Sequence, residues 1–420
     1  MSPIFRSIYF LIIQSYFLSI RIASMFNPKA KKWMDGRKKL FNEIEKVIHP
    51  DEKYIWIHAA SLGEFEQGRP LIPVLKKIYP QHKIVVTFFS PSGYEMIKPK
   101  KIVDHVFYLP ADSKRNANYF VELIKPELVI FVKYEFWLNF LYALKSRRIP
   151  SILISAIFRQ NQVFFKWLGR PYLKALDCFH QIFVQDKNSF ELLKLHGAIH
   201  CQIAHDTRFD RVLENNLQKK SFPDIEKFIN GKKVFIAGST WPRDEELIAD
   251  MINSQPVSAL KVIIAPHEIN SAKIDALISK IKLKSIRYSQ IQDVNPAEFD
   301  VLVIDNIGML SSIYQFGDVA YIGGGFSKGI HNVLEAAVES IPIIIGPKYQ
   351  KFKEAVDLVN EGGIFGIRSK EELNRKFKEL FSDESQSKKA GTVCRNYIER
   401  NKGGIKVIEE YIAANEPTQR

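Results

Sequence analysis

One local pattern recurs along this chain: a short, almost continuously apolar run rich in β-branched residues, then a turn of small residues, then a segment with helical periodicity. That alternation prescribes parallel strands joined by crossover helices. Parallel neighbours cannot be closed by a hairpin, and the returning helices bury both faces of the sheet, which makes each strand apolar throughout. In the first half the runs fall at 54–59, 83–89, 105–109, 128–133, 151–156 and 181–185. A polar stretch at 215–230, carrying Pro223, reads as a linker, after which the pattern restarts at 233–239, 260–266, 285–289, 301–305, 319–324 and 341–346. Six strands with their helices complete a domain, so the fold expected for the 420 residues is two doubly wound, Rossmann-like α/β domains. The expected order is an N-terminal segment at 1–28, a first domain at 29–214, the linker, a second domain at 231–387, and a helical stretch at 388–420 that crosses back. Open α/β sheets bind ligands at the carboxyl ends of their strands, so the chemistry is expected in strand-to-helix loops facing a cleft between the domains.

The hydrophobic fraction of 46% and charged fraction of 25% describe a globular chain and exclude a largely disordered one. Three widely spaced cysteines, Cys178, Cys201 and Cys394, form no CxxC pair, which argues against a disulfide framework or zinc site and suits a reducing compartment such as the cytoplasm. The net charge of +14 calls for an anionic partner: nucleic acid, a phosphorylated substrate or an acidic membrane surface. The N-terminus favours the membrane. Residues 7–20 (SIYFLIIQSYFLSI) are apolar and aromatic, lie between Arg6 and Arg21, and precede Lys29, Lys31, Lys32, Arg37, Lys38 and Lys39. As a helix they reach only about 21 Å, short of the ~30 Å hydrocarbon core, and Gln14 and Ser15 interrupt them. The expectation is a helix buried partway into one leaflet, its basic run on anionic headgroups at the cytoplasmic side. A signal peptide is disfavoured because no small-residue cleavage site follows, and an ordinary first helix is the remaining alternative. Basic residues are otherwise dispersed and no nucleic-acid motif is present, so nucleic acid is not an expected partner.

Two loops stand out. In GGGFSKGIHNVLEAA (323–337) a strand ends in three glycines and a helix is expected to begin near His331 or Asn332. Glycines let a backbone approach a phosphate, helix-start N–H groups attract an anion, and Glu335 is spaced to accept a ribose hydroxyl pair. A glycine turn serving only chain reversal is the alternative. In IHAASLGEFEQG (57–68) the first core strand runs through a small-residue turn into a helix near Gly63, and Glu64 stands where a general base is needed. A carboxylate there is also what the helix dipole favours. Glu66 reads as a surface residue and His58 as a satisfied core histidine. Glu135, in VKYEFWL (132–138), follows an apolar strand among aromatics, and a carboxylate so placed needs an ion-pair partner or a role in the site. Arg208, in HDTRFD (205–210), is by itself a surface cation. Loops at 238–242, 265–268 and 305–310 add Ser239, His267 and backbone amides. No spacing typical of metal ligands and no DxD element occurs, so metal-independent chemistry without a cofactor is expected.

Taken in order, IHAASLGE (57–64), YEFW (134–137), DTRFD (206–210), APH (265–267), DNIGML (305–310) and GIHNVLE (329–335) resemble the 3-deoxy-D-manno-octulosonic acid (Kdo) transferases of lipopolysaccharide synthesis. The motifs span roughly residues 50 to 365 and are specific only together. The resemblance implies a glycosyltransferase-B fold, CMP-Kdo as donor, a lipid A precursor (lipid IVA) as acceptor, and work at the cytoplasmic face of the inner membrane. By position, Glu64 falls on the family's catalytic base, and Glu135 and Arg208 on two residues that stabilise the transition state. Pro266, His267, Gly308, Met309, Leu310, Asn332, Val333, Leu334 and Glu335 fall on CMP-binding positions. The chain also departs from the pattern. Pro266-His267-Glu268 replaces Pro-Arg-His, and His205-Asp206-Thr207-Arg208 replaces Gly-Asn-x-Lys, which keeps a cation but changes its geometry. An Asn-Ala-Arg-Leu-Ser run becomes 155–159, with Arg159 displaced. The implied chemistry is a single inverting displacement. Another two-domain nucleotide-sugar enzyme, such as a UDP-GlcNAc 2-epimerase or GlcNAc transferase, would share the architecture.

Overall fold

The computed structural model describes residues 3–166, 169–218, 220–254 and 260–415. Two compact units emerge: one runs through Asp210 and includes the segment from Lys402 onward, the other is Arg211–Asn401. The stretch expected as a linker holds the end of helix Arg208–Leu217 and helix Pro223–Ile229.

The first unit is built on β1 Lys53–Ala59, β2 His82–Phe88, β3 His105–Tyr108, β4 Pro126–Val132, β5 Ser151–Ala156, β6 Gln181–Val184 and β7 Cys201–Ile203. They form one parallel sheet in the order β3-β2-β1-β4-β5-β6-β7. The second unit holds β8 Lys233–Thr240, β9 Leu260–Pro266, β10 Ser285–Arg287, β11 Val301–Val303, β12 Val319–Ile322, β13 Ile343–Ile345 and β14 Ile364–Gly366. Its parallel order is β10-β11-β9-β8-β12-β13-β14. Both are doubly wound, with the strand order reversing between β1 and β4 and between β8 and β12, the places where such sheets bind ligands. Each sheet has one strand beyond the six the pattern predicts. The extra ones, β7 and β14, are three-residue strands at the sheet edge, too short to show periodicity.

The central strands are buried almost throughout: all six residues of β5 and the last six of β1 are inaccessible. Toward their carboxyl ends the backbone leaves regular geometry. Lys133 (φ 71°), Ser155 (φ 52°), His205 (φ 54°) and Ser239 (φ 52°) adopt the left-handed region, and β5 and β8 shift register there. Such conformations cost energy in non-glycine residues and concentrate at functional sites.

The N-terminal helix Pro3–Ala23 packs one face on the first unit. Tyr9 and Ile13 are buried, and the Tyr9 hydroxyl donates to the Asp112 carboxylate. Asp112 also accepts the N–H groups of Asn139 and Phe140, both at 3.3 Å, closing the start of helix Leu138–Ser146. Ile8, Leu11, Ile12, Leu18 and Ile22 of the same helix are exposed. Among the described residues no helix is long and apolar enough to cross a membrane. At the other end of the chain, helix Glu384–Asn401 packs in the second unit, Gly403 turns at φ 97°, and helix Gly404–Ala414 buries Ile408 and Ile412 in the first-unit core. Asp210 fixes that return by accepting the N–H groups of Gly403 (2.6 Å) and Ile405 (3.1 Å).

Candidate functional site

The reversal point of the first sheet brings two of the expected acids together. Glu64 lies in the first turn of helix Leu62–Gly68, directly behind β1, and its Oε2 accepts the Ala60 N–H at 2.7 Å. Burial and the nearby charge of Glu135 push its carboxyl above the ordinary range, against the lowering effects of the Ala60 bond, Lys133 and His58. Glu135, after β4, is 7% exposed, and its Oε2 accepts from His58 Nε2 at 2.9 Å and from Trp137 Nε1 at 2.5 Å. His58 is wholly buried, with Nδ1 2.8 Å from Thr87 Oγ1, and Thr87 in turn accepts from Trp56 Nε1 at 2.7 Å. His58 is therefore a satisfied core histidine that also holds Glu135. On the outer side, the Trp137 ring stacks on Phe89 at 4.9 Å, which stacks on Tyr16 of the N-terminal helix at 6.1 Å. Burial raises the Tyr134 hydroxyl, with Arg159 acting to lower it and Glu64 to raise it.

Arg208 opens helix Arg208–Leu217 and is not a loose surface cation. Its Nε and Nη2 donate to Asp206 Oδ2 at 3.0 and 2.8 Å. Gln67, one turn beyond Glu64 on the same short helix, reaches Asp206 Oδ2 at 3.4 Å, and Thr207 donates to the Gln67 carbonyl. Glu66 sits 3.5 Å from Arg69 at the surface.

In the second unit the glycine loop is accounted for first by packing. A Cβ on Gly323 would lie 2.3 Å from the Ser239 carbonyl oxygen, and one on Gly325 would lie 2.6 Å from Gly346 Cα. Gly324 (φ 93°) and Gly329 (φ 134°) need a left-handed backbone. The helix expected to begin near His331 or Asn332 begins instead at Leu334 and ends at Ala337, because Asn332 Oδ1 accepts the Leu334 N–H (3.1 Å) and holds the preceding residues outside it. Asn332 Nδ2 also donates to Glu335 Oε1 at 3.1 Å. Burial raises the Glu335 carboxyl, opposed by Asn332 and Arg211. Val333 and Leu334 are buried. Gly308 turns at φ 93° and Met309 caps the short helix Leu310–Ile313. Leu310 and Tyr314 crowd Gly238 at the end of β8.

His267 does not stand alone. Its ring stacks between Trp241 (4.7 Å) and His331 (4.3 Å), and Trp241 Nε1 donates to His331 Nε2 at 2.9 Å. Burial, with His267 beside it, lowers His331 to about 4, so its imidazole is neutral near pH 7. Pro266 lies beside Trp241 along a small pocket that Lys273 and Glu268 also line. Asp244 is buried beneath this corner and accepts from Trp241 N (2.9 Å), Gly324 N (2.8 Å) and Tyr321 Oη (2.7 Å), tying the ends of β8 and β12 together. Trp241 and Asp244 are not singled out by the sequence, and His331 and Asp206 appear there only within their motifs, without a role in the site. The one available signal was Trp241 before Pro242, which marks a helix start but says nothing of a ring stack. Among the described residues no three His, Cys, Asp or Glu side chains converge as a metal site would require.

Comparison with known proteins agrees with this layout. The family model described as 3-deoxy-D-manno-octulosonic-acid transferase (kdotransferase) matches residues 34–211. The 3-deoxy-D-manno-octulosonic acid transferase of Aquifex aeolicus is 30% identical over 357 residues, covering 82% of this chain and 93% of that protein. The transferase of the same name from Chlamydia muridarum is 25% identical over 391 residues, covering 89% of this chain and 87% of the relative. In fold, the chain is similar to UDP-GlcNAc 2-epimerase from Neisseria meningitidis, with a TM-score of 0.58 at 14% identity over 86% of this chain and all of that one. That likeness concerns architecture alone and puts the two parallel sheets in the glycosyltransferase-B class. With the ordered motifs seated at the strand ends and a relative matched over nearly its full length, the chain belongs to the 3-deoxy-D-manno-octulosonic acid transferase family of glycosyltransferases.

Proposed function

We propose that the enzyme moves Kdo from CMP-Kdo to a lipid A precursor, lipid IVA, by a single inverting displacement with Glu64 as general base. The observation that carries this reading is the state of Glu64: a carboxyl at the start of a helix, raised by burial and by Glu135 and therefore a stronger base than a free glutamate. Glu64 takes the proton of a glucosamine hydroxyl as its oxygen attacks the anomeric carbon of Kdo. The bond from that carbon to the CMP phosphate oxygen breaks, and CMP leaves with the electron pair. Positive charge builds on the sugar ring and negative charge on the departing phosphate, so a carboxylate held in place (Glu135) and a guanidinium (Arg208) suit the two developing charges. The nucleotide is assigned to Pro266 and His267, to Gly308, Met309 and Leu310, and to Asn332 through Glu335. The aromatic stack of Trp241, His267 and His331 lies among these positions and supports that assignment. The displacement requires no metal and no cofactor.

The same reading puts the enzyme at the cytoplasmic face of the inner membrane. The exposed apolar residues of helix Pro3–Ala23, with exposed Lys29, Lys31 and Lys32 following, suit a helix lying in one leaflet against anionic headgroups. The experiment that tests the reading is Glu64→Ala: CMP binding by calorimetry should equal that of the wild type while Kdo transfer falls by about a hundred to ten thousand fold. Near-wild-type turnover rejects Glu64 as the base. Transfer from UDP-GlcNAc and not from CMP-Kdo rejects the donor.

A further inference from the structure

The turn after β7 holds a carboxylate that the displacement does not use. Asp206 is 3% exposed and pairs with Arg208, whose side chain is 24% exposed. Oδ1 accepts the Arg208 backbone N–H at 2.9 Å, and Oδ2 accepts Nε at 3.0 Å and Nη2 at 2.8 Å. The carboxylate is itself braced by two amides, Gln185 Nε2 at 3.1 Å and Gln67 Nε2 at 3.4 Å. Gln185 Nε2 is held in turn by the Ser155 carbonyl at 3.0 Å, and Ser155 and the neighbouring His205 are both in the left-handed region. Five donors, two of them amide braces, and strained backbone thus converge on one carboxylate.

Stability does not explain this arrangement. A buried carboxylate carries a desolvation cost that pairing offsets only in part, and an apolar pair of similar volume is often as stable. What the arrangement supplies is orientation. Two nitrogens along one edge of a planar guanidinium, engaged by one fixed oxygen, define both the plane and the direction of the group, which an ammonium on a flexible stem cannot match. Gln67 belongs to the helix that carries Glu64, so the clamp also references Arg208 to the base.

We propose that Asp206 is a positioning residue for Arg208, and that the pair works as a unit in which Asp206 fixes the guanidinium for sugar transfer. The inference rests on the role given to Arg208 above. It also gives the departures in this turn a common cause, since an acid and an arginine stand together where the resembling motif has Asn and Lys.

The test is a cycle of Asp206→Asn, Arg208→Lys and the double variant, with Arg208→Ala as a separate arm, each measured for kcat, KM and Tm. Asp206→Asn and Arg208→Lys should each lower kcat about tenfold with little change in KM, and the double variant should lose little more than either single variant, the non-additivity expected for residues in one network. Losses that multiply in the double variant, or an Asp206→Asn enzyme with unchanged kcat, overturn the proposal. Should Asp206→Asn fail to fold, Gln185→Leu loosens the carboxylate and keeps the ion pair: a severalfold loss of kcat supports the proposal and none overturns it. Wild-type turnover by Arg208→Ala would instead sink the parent reading of Arg208.

Discussion

Trp137→Phe isolates the hold on Glu135 from the packing around it. The phenyl ring keeps the stack on Phe89 but loses the indole N–H, which donates to Glu135 Oε2 at 2.5 Å and lies 3.1 Å from His58 Nε2. Glu135 then has His58 as its remaining side-chain donor, at 2.9 Å. A hydrogen bond to a charged group is worth about 1.5–3 kcal/mol, and each 1.4 kcal/mol is roughly tenfold in rate. If Glu135 acts in the transition state, kcat should fall roughly ten- to a hundredfold while KM for the donor changes little. The assay is steady-state transfer across donor concentrations, with a thermal melt as control. A folded Trp137→Phe enzyme with unchanged kcat would refute the view that Glu135 is held for catalysis and return it to a structural hydrogen bond with His58.

Three further outcomes are expected. The acid limb of the kcat profile should lie above the usual glutamate value of about 4.3, because burial and Glu135 raise Glu64, and Glu135→Gln should move that limb to lower pH by removing the neighbouring charge. A limb that stays in place would deny the coupling. Gly325→Ala should destabilise the second unit by several kcal/mol in urea unfolding, since its Cβ would sit 2.6 Å from Gly346 Cα, whereas Gly63→Ala, with nothing within 4 Å, should change stability by less than about 1 kcal/mol. Tyr9→Phe should cost about 1–2 kcal/mol by removing a buried donor from Asp112, read from the urea midpoint.

Much of the fold was legible because strands such as 54–59 and 233–239 are apolar on both faces, and only a doubly covered parallel sheet produces that. Cys201–Ile203 and Ile364–Gly366 were missed because three residues carry no periodicity; the equally short edge strand Ser285–Arg287 showed only as part of the longer run 285–289. The N-terminal helix was read through its apolar content, and one face of it does remain exposed. The sequence could not announce that Tyr9 and Ile13 are buried or that Tyr9 reaches Asp112, a partner 103 residues away. For the same reason Glu64, Glu135 and Arg208 were identifiable as candidates, while what surrounds them was not. The chain Thr87–His58–Glu135–Trp137 and the stack Trp241–His267–His331 join residues from separate strand ends that only the tertiary fold brings within reach.

The reaction product tests Kdo transfer most directly. Purified enzyme incubated with CMP-Kdo and tetraacylated lipid A precursor in detergent, then analysed by mass spectrometry, should yield an acceptor heavier by whole Kdo residues, with CMP released in equal amount. The Glu64→Ala protein should yield none. Unmodified acceptor with the wild-type protein, or a mass gain that persists in Glu64→Ala, would contradict the proposed transfer and its base.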